Sequence, residues 1–170
     1  NLIKSPNLYA KHLFMAGTQK ERSTDLSWAI TNPTISAIWF ARGGYGTIET
    51  LSDLPLHLCD KPIIGFSDAT AICCALSNMK KNFVHAPVLH SLQDHSDVES
   101  QQAVYNFLTN GTPPSFELQL LKGTPKVVDA PLVGGNLCVI TSIMGTPWQL
   151  NTKDKILMLE DIGEPGYKIH

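Results

Sequence analysis

Ser67 is the residue whose type and position best suit covalent chemistry. It lies in Gly65-Phe66-Ser67-Asp68, between a short β-branched run and sequence typical of a helix. A serine at such a strand-to-helix corner exposes its Oγ above the carboxyl end of a sheet, beside the N–H groups of a helix N-terminus. This geometry presents an alcohol nucleophile for acyl transfer. The alternative is a helix cap, a common role of serine, and Gly-x-Ser-Asp departs from the Gly-x-Ser-x-Gly elbow.

A glycine-rich turn, Arg42-Gly43-Gly44-Tyr45-Gly46, follows another predicted strand. Glycines let backbone N–H groups approach a ligand closely, as an oxyanion or phosphate site requires; a plain tight turn is the alternative. The turn lacks the G-x-G-x-x-G spacing and the lysine of a P-loop, which disfavours a nucleotide-binding domain. The planar fork of Arg42 suits either a substrate carboxylate or a structural ion pair.

Glu160 ends a third predicted strand. A carboxylate there can orient a histidine base and stabilise the imidazolium that forms, although a solvated loop acid is the alternative. Among the histidines, His85 is the best placed, at a strand end, but none is a convincing general base. The histidines are His12, His57, His85, His90, His95 and His170.

Composition narrows the class of protein. The 170 residues are 43% hydrophobic and 16% charged, with a formal charge of -2 and no basic cluster, which argues against nucleic-acid and membrane-surface partners. No apolar run approaches the roughly 20 residues of a membrane span. The cysteines have neither metal-ligand nor disulfide-framework spacing, so we expect no metal and reduced, buried thiols in a cytoplasmic protein. These cysteines are Cys59, Cys73, Cys74 and Cys138.

Local signals predict alternating helices and strands in the first part of the chain. Capping boxes begin helices at Thr18 and at Ser96, and the second helix ends at Asn110-Gly111. A helix follows Ser67 and continues to about Lys80. The other predictions are a helix end near residue 30, strands at 35–40, 62–65 and 83–88, and a short helix at 47–51.

The sequence from residue 112 onward has a different residue pattern. Alternating apolar residues between 112 and 133 suggest a β-hairpin and a crossing between domains. Gly134-Gly135-Asn136 predicts a turn that begins a helix to about Met144, and residues 155–161 form a strand. We predict an α/β fold with an open, mainly parallel sheet and flanking helices. The expected domains are 1–111, and 112–170 as the start of a β-containing second domain.

Several motifs occur in the order and spacing of one known family. They are Ala16-Gly17-Thr18 with Arg22, the 42–46 glycine turn, residues 61–68, His85-Ala86-Pro87, Gly134-Gly135-Asn136-Leu137, Gly145-Thr146-Pro147, and residues 156–161 through Tyr167. Together they span almost the whole chain. As a set they resemble the LD-carboxypeptidases, the serine peptidases that include murein tetrapeptide carboxypeptidase and the microcin C self-immunity peptidases.

The resemblance implies a Ser-His-Glu triad. Ser67 matches the nucleophile, Glu160 matches the acid, and the N–H groups of Asp68 and Gly44 match the oxyanion hole. The family's histidine lies downstream in its C-terminal domain, and His170 does not match it. The chain therefore resembles a fragment that also lacks the family's first strand and helix. Candidate substrate-binding residues are Arg42, Tyr45, His85 and Asn136.

The implied substrate is a murein tetrapeptide, cleaved between the L-centre of its third residue and terminal D-alanine, with no cofactor. Glycine after Tyr45 resembles the murein-recycling branch more than the immunity branch, which tends to carry asparagine there. The alternatives are an immunity peptidase, or a truncated, inactive homologue or ligand-binding remnant. A homodimer is one assembly open to such a protein.

Overall fold

The computed structural model describes residues 1–169. His170, with the interpretation attached to it, lies outside the described residues. The helices and strands in chain order are α1 (Gln19–Thr31), β1 (Ile38–Trp39), α2 (Thr47–Thr50), β2 (Ile63–Gly65), α3 (Thr70–Asn78), β3 (Phe83–His85), α4 (Leu89–Asp94), α5 (Val98–Asn110), β4 (Leu132–Asn136), α6 (Leu137–Ser142), β5 (Ile156–Glu160) and α7 (Gly166–Ile169).

Strands β1, β2 and β3 form a parallel sheet with β2 in the centre. Ile63 pairs with both Ile38 and Phe83, and Gly65 pairs with His85. Every residue of β2 is buried, because the central strand is covered on both faces, which explains its unbroken apolar sequence. The predicted α/β class with parallel strands is confirmed.

The predicted hairpin between 112 and 133 is wrong. Residues 111–131 contain no helix or strand, and their alternating apolar side chains are exposed, including Phe116 and Leu118. Alternation indicates a strand only where a partner strand and a covering layer exist. Pairing begins instead at β4, which runs parallel to β5 with Val133 opposite Leu157 and Asn136 opposite Glu160.

The predicted glycine turn at 134–136 is also corrected, because these residues form the end of β4. A Cβ on Gly134 would lie 1.7 Å from the carbonyl oxygen of Met158, and one on Gly135 would lie 2.6 Å from Thr70 Oγ1. The glycines therefore allow β4 to approach both β5 and α3. The helix after Asn136 is present as α6, and it ends at Ser142 rather than near Met144.

Helix α3 belongs to two apolar clusters. Ile72, Ala75 and Leu76 pack with α1 and the first sheet, whereas Cys74 packs with Val133, Ile143 and Leu150. A helix that is apolar on most of its surface is buried between layers. Helix α3 thus joins the first part of the chain to the last, and it carries the 67–69 turn at its start.

Two helix starts test the capping predictions. Thr18 and Glu21 form the predicted capping box at α1. At α5 the cap is Asp97, which accepts from the N–H of Ser100, rather than the predicted Ser96. Ser96 Oγ instead donates to Ser91 O, and α5 ends as predicted at Gly111, whose φ is 68°.

No helix formed by residues 1–169 has the length and apolar character needed to cross a bilayer. The cysteines are all free, as expected. Burial of Cys59 and Cys74 follows the prediction, whereas Cys73 is only half-buried and Cys138, in the first turn of α6, is exposed.

Candidate active site

Ser67 lies at the corner between β2 and α3. Its φ is 58°, a left-handed conformation that costs a non-glycine residue of order 1–3 kcal/mol. A short 3-10 turn (Ser67–Ala69) leads into α3, and neither that turn nor α3 has a side-chain cap. The alternative role of Ser67 as a helix cap is therefore not what the structure shows.

Gly65 makes this corner tight. A Cβ at Gly65 would lie 3.1 Å from the Cβ of Ala69 and 3.3 Å from the Cβ of Phe40. Any side chain there would push the elbow away from β1. The first glycine of the Gly-x-Ser motif thus has a packing role.

The glycine loop, defined here as residues 42–46, lies against the elbow. A Cβ on Gly43 would lie 3.2 Å from both Cβ and Oγ of Ser67, so the absence of a side chain there keeps the hydroxyl accessible. Gly44 follows with φ of 140°, and Arg42 and Tyr45 are exposed. The structure brings together Ser67 and the loop that the sequence singled out.

Glu160 reaches the same place from the end of β5. The Asn136 side chain and the Ser67 backbone N–H lie beside its carboxylate, and Oε1 is buried without a hydrogen-bond partner among the described residues. Burial raises the pKa of Glu160, and the charge of Asp161 adds to this, while the neighbouring Asn136 side chain and Ser67 N–H lower it. Ser67 and Glu160 are therefore neighbours, although they are 93 positions apart in the sequence.

Two other predicted site residues lie beside the elbow. His85 ends β3 opposite Gly65, and its ring packs edge-on against Phe66 at 6.4 Å between centroids. Neighbouring atoms desolvate this ring and lower the pKa of His85, although part of it remains exposed. Asn136 is buried, and its side chain accepts from Val139 N as well as contacting Glu160, so much of its bonding capacity is used within the protein.

The structure also shows site residues that sequence reasoning missed. Thr70 Oγ1 accepts from Asn136 N at 3.0 Å and so ties β4 to the start of α3. The side chain of Asp68, singled out only for its N–H, accepts from both N and Oγ1 of Thr47. Arg22 reaches the glycine loop from α1. Partial signals were the polar Thr70 inside an apolar helix and the place of Arg22 among the quoted motifs.

One group of possible metal ligands lies near Glu160. Ligand atoms of Cys138, Asp161 and Glu164 lie within 4.8 Å of one another, a proximity that the spacing of the cysteines did not predict. The thiol donates to Glu164 Oε1 at 3.0 Å. That hydrogen bond raises the pKa of Cys138 to about 11, with smaller contributions from desolvation and from the charges of the nearby acids.

Two family models match the chain. The LD-carboxypeptidase N-terminal domain matches residues 1–86, and the LD-carboxypeptidase C-terminal domain matches residues 129–170. Murein tetrapeptide carboxypeptidase of Pseudomonas aeruginosa is 31% identical over 94% of this chain and 56% of its own length. A probable murein peptide carboxypeptidase of Bacillus subtilis is 33% identical over 94% of this chain and 52% of its own length. The chain thus spans a little more than half the length of these relatives.

Solved structures agree with these matches. Muramoyltetrapeptide carboxypeptidase from Oxalobacter formigenes superposes with a TM-score of 0.77 and 28% identity, covering 93% of this chain and 55% of that one. The wild-type apo microcin C7 self-immunity protein gives a TM-score of 0.82 over 98% of this chain and 60% of that one, but its 21% identity shows the fold alone. The fold and the matched domains together place this chain in the LD-carboxypeptidase family.

Proposed function

We propose that the protein carrying this chain is a serine LD-carboxypeptidase of peptidoglycan recycling. Its reaction is hydrolysis of the amide between an L-centre and a terminal D-amino acid, with release of D-alanine from a murein tetrapeptide. The observation that carries this proposal is Ser67 in a left-handed corner between Gly43 and Glu160. The relatives named murein carboxypeptidases support the same substrate class.

In this reaction Ser67 Oγ attacks the carbonyl carbon of the scissile amide while a histidine takes the hydroxyl proton. The N–H groups of Asp68 and Gly44 stabilise the tetrahedral oxyanion, each contributing roughly 3 kcal/mol to transition-state stabilisation. Collapse expels D-alanine, whose amine takes the proton from the histidine, and leaves an ester on Ser67. Water then hydrolyses the ester by the same proton route.

Glu160 orients the histidine in this mechanism. Its buried Oε1 is an acceptor without a partner among residues 1–169, which suits an imidazole N–H. The family pattern assigns that histidine to the C-terminal domain. His85 is a less suitable base, since desolvation lowers its pKa and it belongs to the opposite side of the elbow, on β3.

We assign the substrate's free carboxylate to Arg42, whose exposed guanidinium begins the glycine loop. Tyr45, 77% exposed on the same loop, and His85 form the walls of the cleft for the terminal D-residue. A neutral His85 ring would donate a hydrogen bond without placing a second cation beside Arg42. Asn136 affects the site indirectly, because its side chain stabilises the charged carboxylate of Glu160.

We also propose a cytoplasmic location, which the free thiols support, because thiols stay reduced in that compartment. The protein would meet murein fragments there after their import. We also propose that the protein forms a homodimer, and light scattering of the purified protein tests this directly.

The decisive experiment measures D-alanine release from a murein tetrapeptide by the complete protein. The wild type should release D-alanine, and Ser67→Ala should lose at least about a thousandfold in kcat, as removal of a triad member does. A tetrapeptide ending in L-alanine is the matched control and should be spared. Undiminished release by Ser67→Ala would remove Ser67 as the nucleophile, and cleavage of an aminoacyl sulfamoyl adenosine instead would favour the immunity-peptidase alternative.

A further inference from the structure

The glycine loop is held at its upstream end by main-chain bonds. Phe40 O accepts from Leu89 N, and Ala41 O accepts from His90 N, each at 3.1 Å. These bonds connect the end of β1 to the first turn of α4. The residues that follow include Gly43, Gly44 and Gly46, whose missing side chains leave the backbone many alternative conformations. The downstream end therefore needs its own restraint.

Arg22 supplies part of that restraint from α1. Its guanidinium donates to Gly17 O at 2.6 Å and to Gly46 O at 3.5 Å, and it pairs with Glu49 in α2. The side chain is only 15% exposed. A Cβ on Gly46, whose φ is 105°, would lie 2.7 Å from Nη2, so the guanidinium occupies the space that a side chain at 46 would fill. Arg22 thus packs directly on the last residue of the glycine loop.

Asp68 restrains the next residue along the chain. Its Oδ2 accepts from Thr47 N at 3.0 Å and from Thr47 Oγ1 at 2.7 Å. Thr47 is buried and immediately follows the glycine loop, while Asp68 immediately follows Ser67. This pair of bonds connects the downstream end of the loop to the elbow itself.

We propose that Arg22 and Asp68 are positioning residues that together hold the glycine loop at a fixed distance from Ser67. The inference rests on the proposed function, in which a fixed loop keeps the Gly44 N–H directed at the developing oxyanion. Hydrogen-bond donors stabilise that charge only when they are already in place, and a shift of about 1 Å can cost a hundredfold in rate.

Electrostatics couple the two residues. Burial raises the pKa of Asp68, whereas its bonds from Thr47 and the positive charge of Arg22 lower it and Glu49 raises it. Arg22 therefore favours the ionised carboxylate, which is the better acceptor for Thr47. Loss of Arg22 should weaken the Asp68–Thr47 bonds although Arg22 touches neither residue through a hydrogen bond.

The first test measures hydrogen exchange at the Thr47 amide in the complete protein, and it requires no catalysis. Arg22→Met should speed this exchange about tenfold, because the bond to Asp68 opens more often. Lys81→Met is the matched control: Lys81 also binds a backbone carbonyl, Cys59 O, and a carboxylate, Asp60, but before the amino end of β2, whereas Ser67 follows the carboxyl end. Equal exchange in the wild type and Arg22→Met would overturn the proposal.

The second test separates kcat from KM for D-alanine release. Arg22→Met and Asp68→Ala should each lower kcat roughly tenfold to a hundredfold with KM little changed, because the oxyanion exists only in the transition state. Asp68→Asn keeps one acceptor and should recover part of the loss, and Lys81→Met should match the wild type. If Arg22→Met and Asp68→Ala both kept the wild-type kcat at temperatures well below their melting points, the positioning role would be contradicted. An inactive wild type would instead overturn the proposed function, and Thr47 exchange would still decide whether Arg22 and Asp68 hold the loop.

Discussion

Two adjacent carboxylates at the end of β5 respond to their surroundings in opposite ways. Glu160 is partly buried, which raises its pKa above the ordinary value. Burial acts on Asp161 in the same direction, but the N–H groups of Ile162 and Cys138 donate to it and the net effect lowers its pKa. The difference follows from the number of N–H donors, because a carboxylate that accepts several backbone bonds is stabilised in its charged form.

This contrast predicts opposite pH effects for two neutralising substitutions. A raised folded-state pKa means that the wild type loses stability as pH rises through the window just above the ordinary value of 4.5. Glu160→Gln has no carboxylate to ionise and so avoids that loss. The free energy of unfolding of the variant should therefore rise relative to that of the wild type as the pH increases from 4 to 7. Asp161→Asn is the control of opposite sign: the stability that Asp161 contributes at neutral pH is lost as pH falls below the ordinary aspartate value of 3.8 and through its lowered pKa, so this variant's deficit should shrink over that acid range. Urea titrations at each pH measure the free energy of unfolding of both variants. Parallel changes in the two variants would contradict the opposite pKa shifts of Glu160 and Asp161.

At the level of elements, Thr70 joins β4 to α3. Its Oγ1 accepts from the buried Asn136 N at 3.0 Å, and Asn136 contacts Glu160. Thr70→Val would leave that N–H unpaired in the interior, at a cost of about 1–3 kcal/mol of stability. We expect a lower melting temperature and faster hydrogen exchange at the Asn136 amide.

Thr70→Ser provides the matched control for this bond. It keeps Oγ and loses one buried methyl group, which costs roughly 1 kcal/mol. The Asn136 amide should therefore exchange in Thr70→Ser at nearly the wild-type rate once the global stability change is subtracted. Equal protection of this amide in the valine and serine variants would show that the bond does not tie β4 to α3.

Elements with complete local signals were predictable from sequence. The Thr18 capping box, the glycine that ends α5 and the apolar run of β2 each carry their cause within a few residues. The segment 112–133 was mispredicted because its alternation has meaning only with a partner strand. Gly134 and Gly135 were mispredicted for the same reason, since their cause is the close approach of β5 and α3, distant in sequence.

The candidate site shows the same division. Ser67 and the glycine loop were predicted together because each follows a strand, and parallel strands of one sheet end at the same edge. Glu160 was singled out because it ends a strand, but that strand belongs to the second sheet, so its approach to Ser67 was not predictable from this rule. Arg22, Thr70 and the Asp68 side chain were missed because they act on backbone groups far along the chain. Arg22 follows a capping box and Thr70 lies in an apolar helix, so the local pattern already explains each residue and gives no sign of its long-range contact.

For the whole molecule, the site depends on contacts between segments that the 112–130 stretch connects without regular structure. Glu160 and Asn136 come from one side of that stretch, and Ser67 comes from the other. The joining contacts are the Cys74 cluster, the Thr70–Asn136 bond, and the bond from Asn78 Nδ2 to Gln149 O at 2.8 Å. The connection itself adds little to the packing, because its side chains are exposed.

This arrangement predicts the outcome of limited proteolysis. Trypsin should cut first after Lys122 or Lys126, because exposed segments without backbone pairing fit a protease cleft. The two products should remain together on a sizing column, held by the packing of β4 and α6 on α3, and separate only in denaturant. A Lys122→Gln/Lys126→Gln double variant should survive longer under the same digestion. Products that separate without denaturant would show that the connecting chain, rather than the α3 contacts, keeps Glu160 beside Ser67.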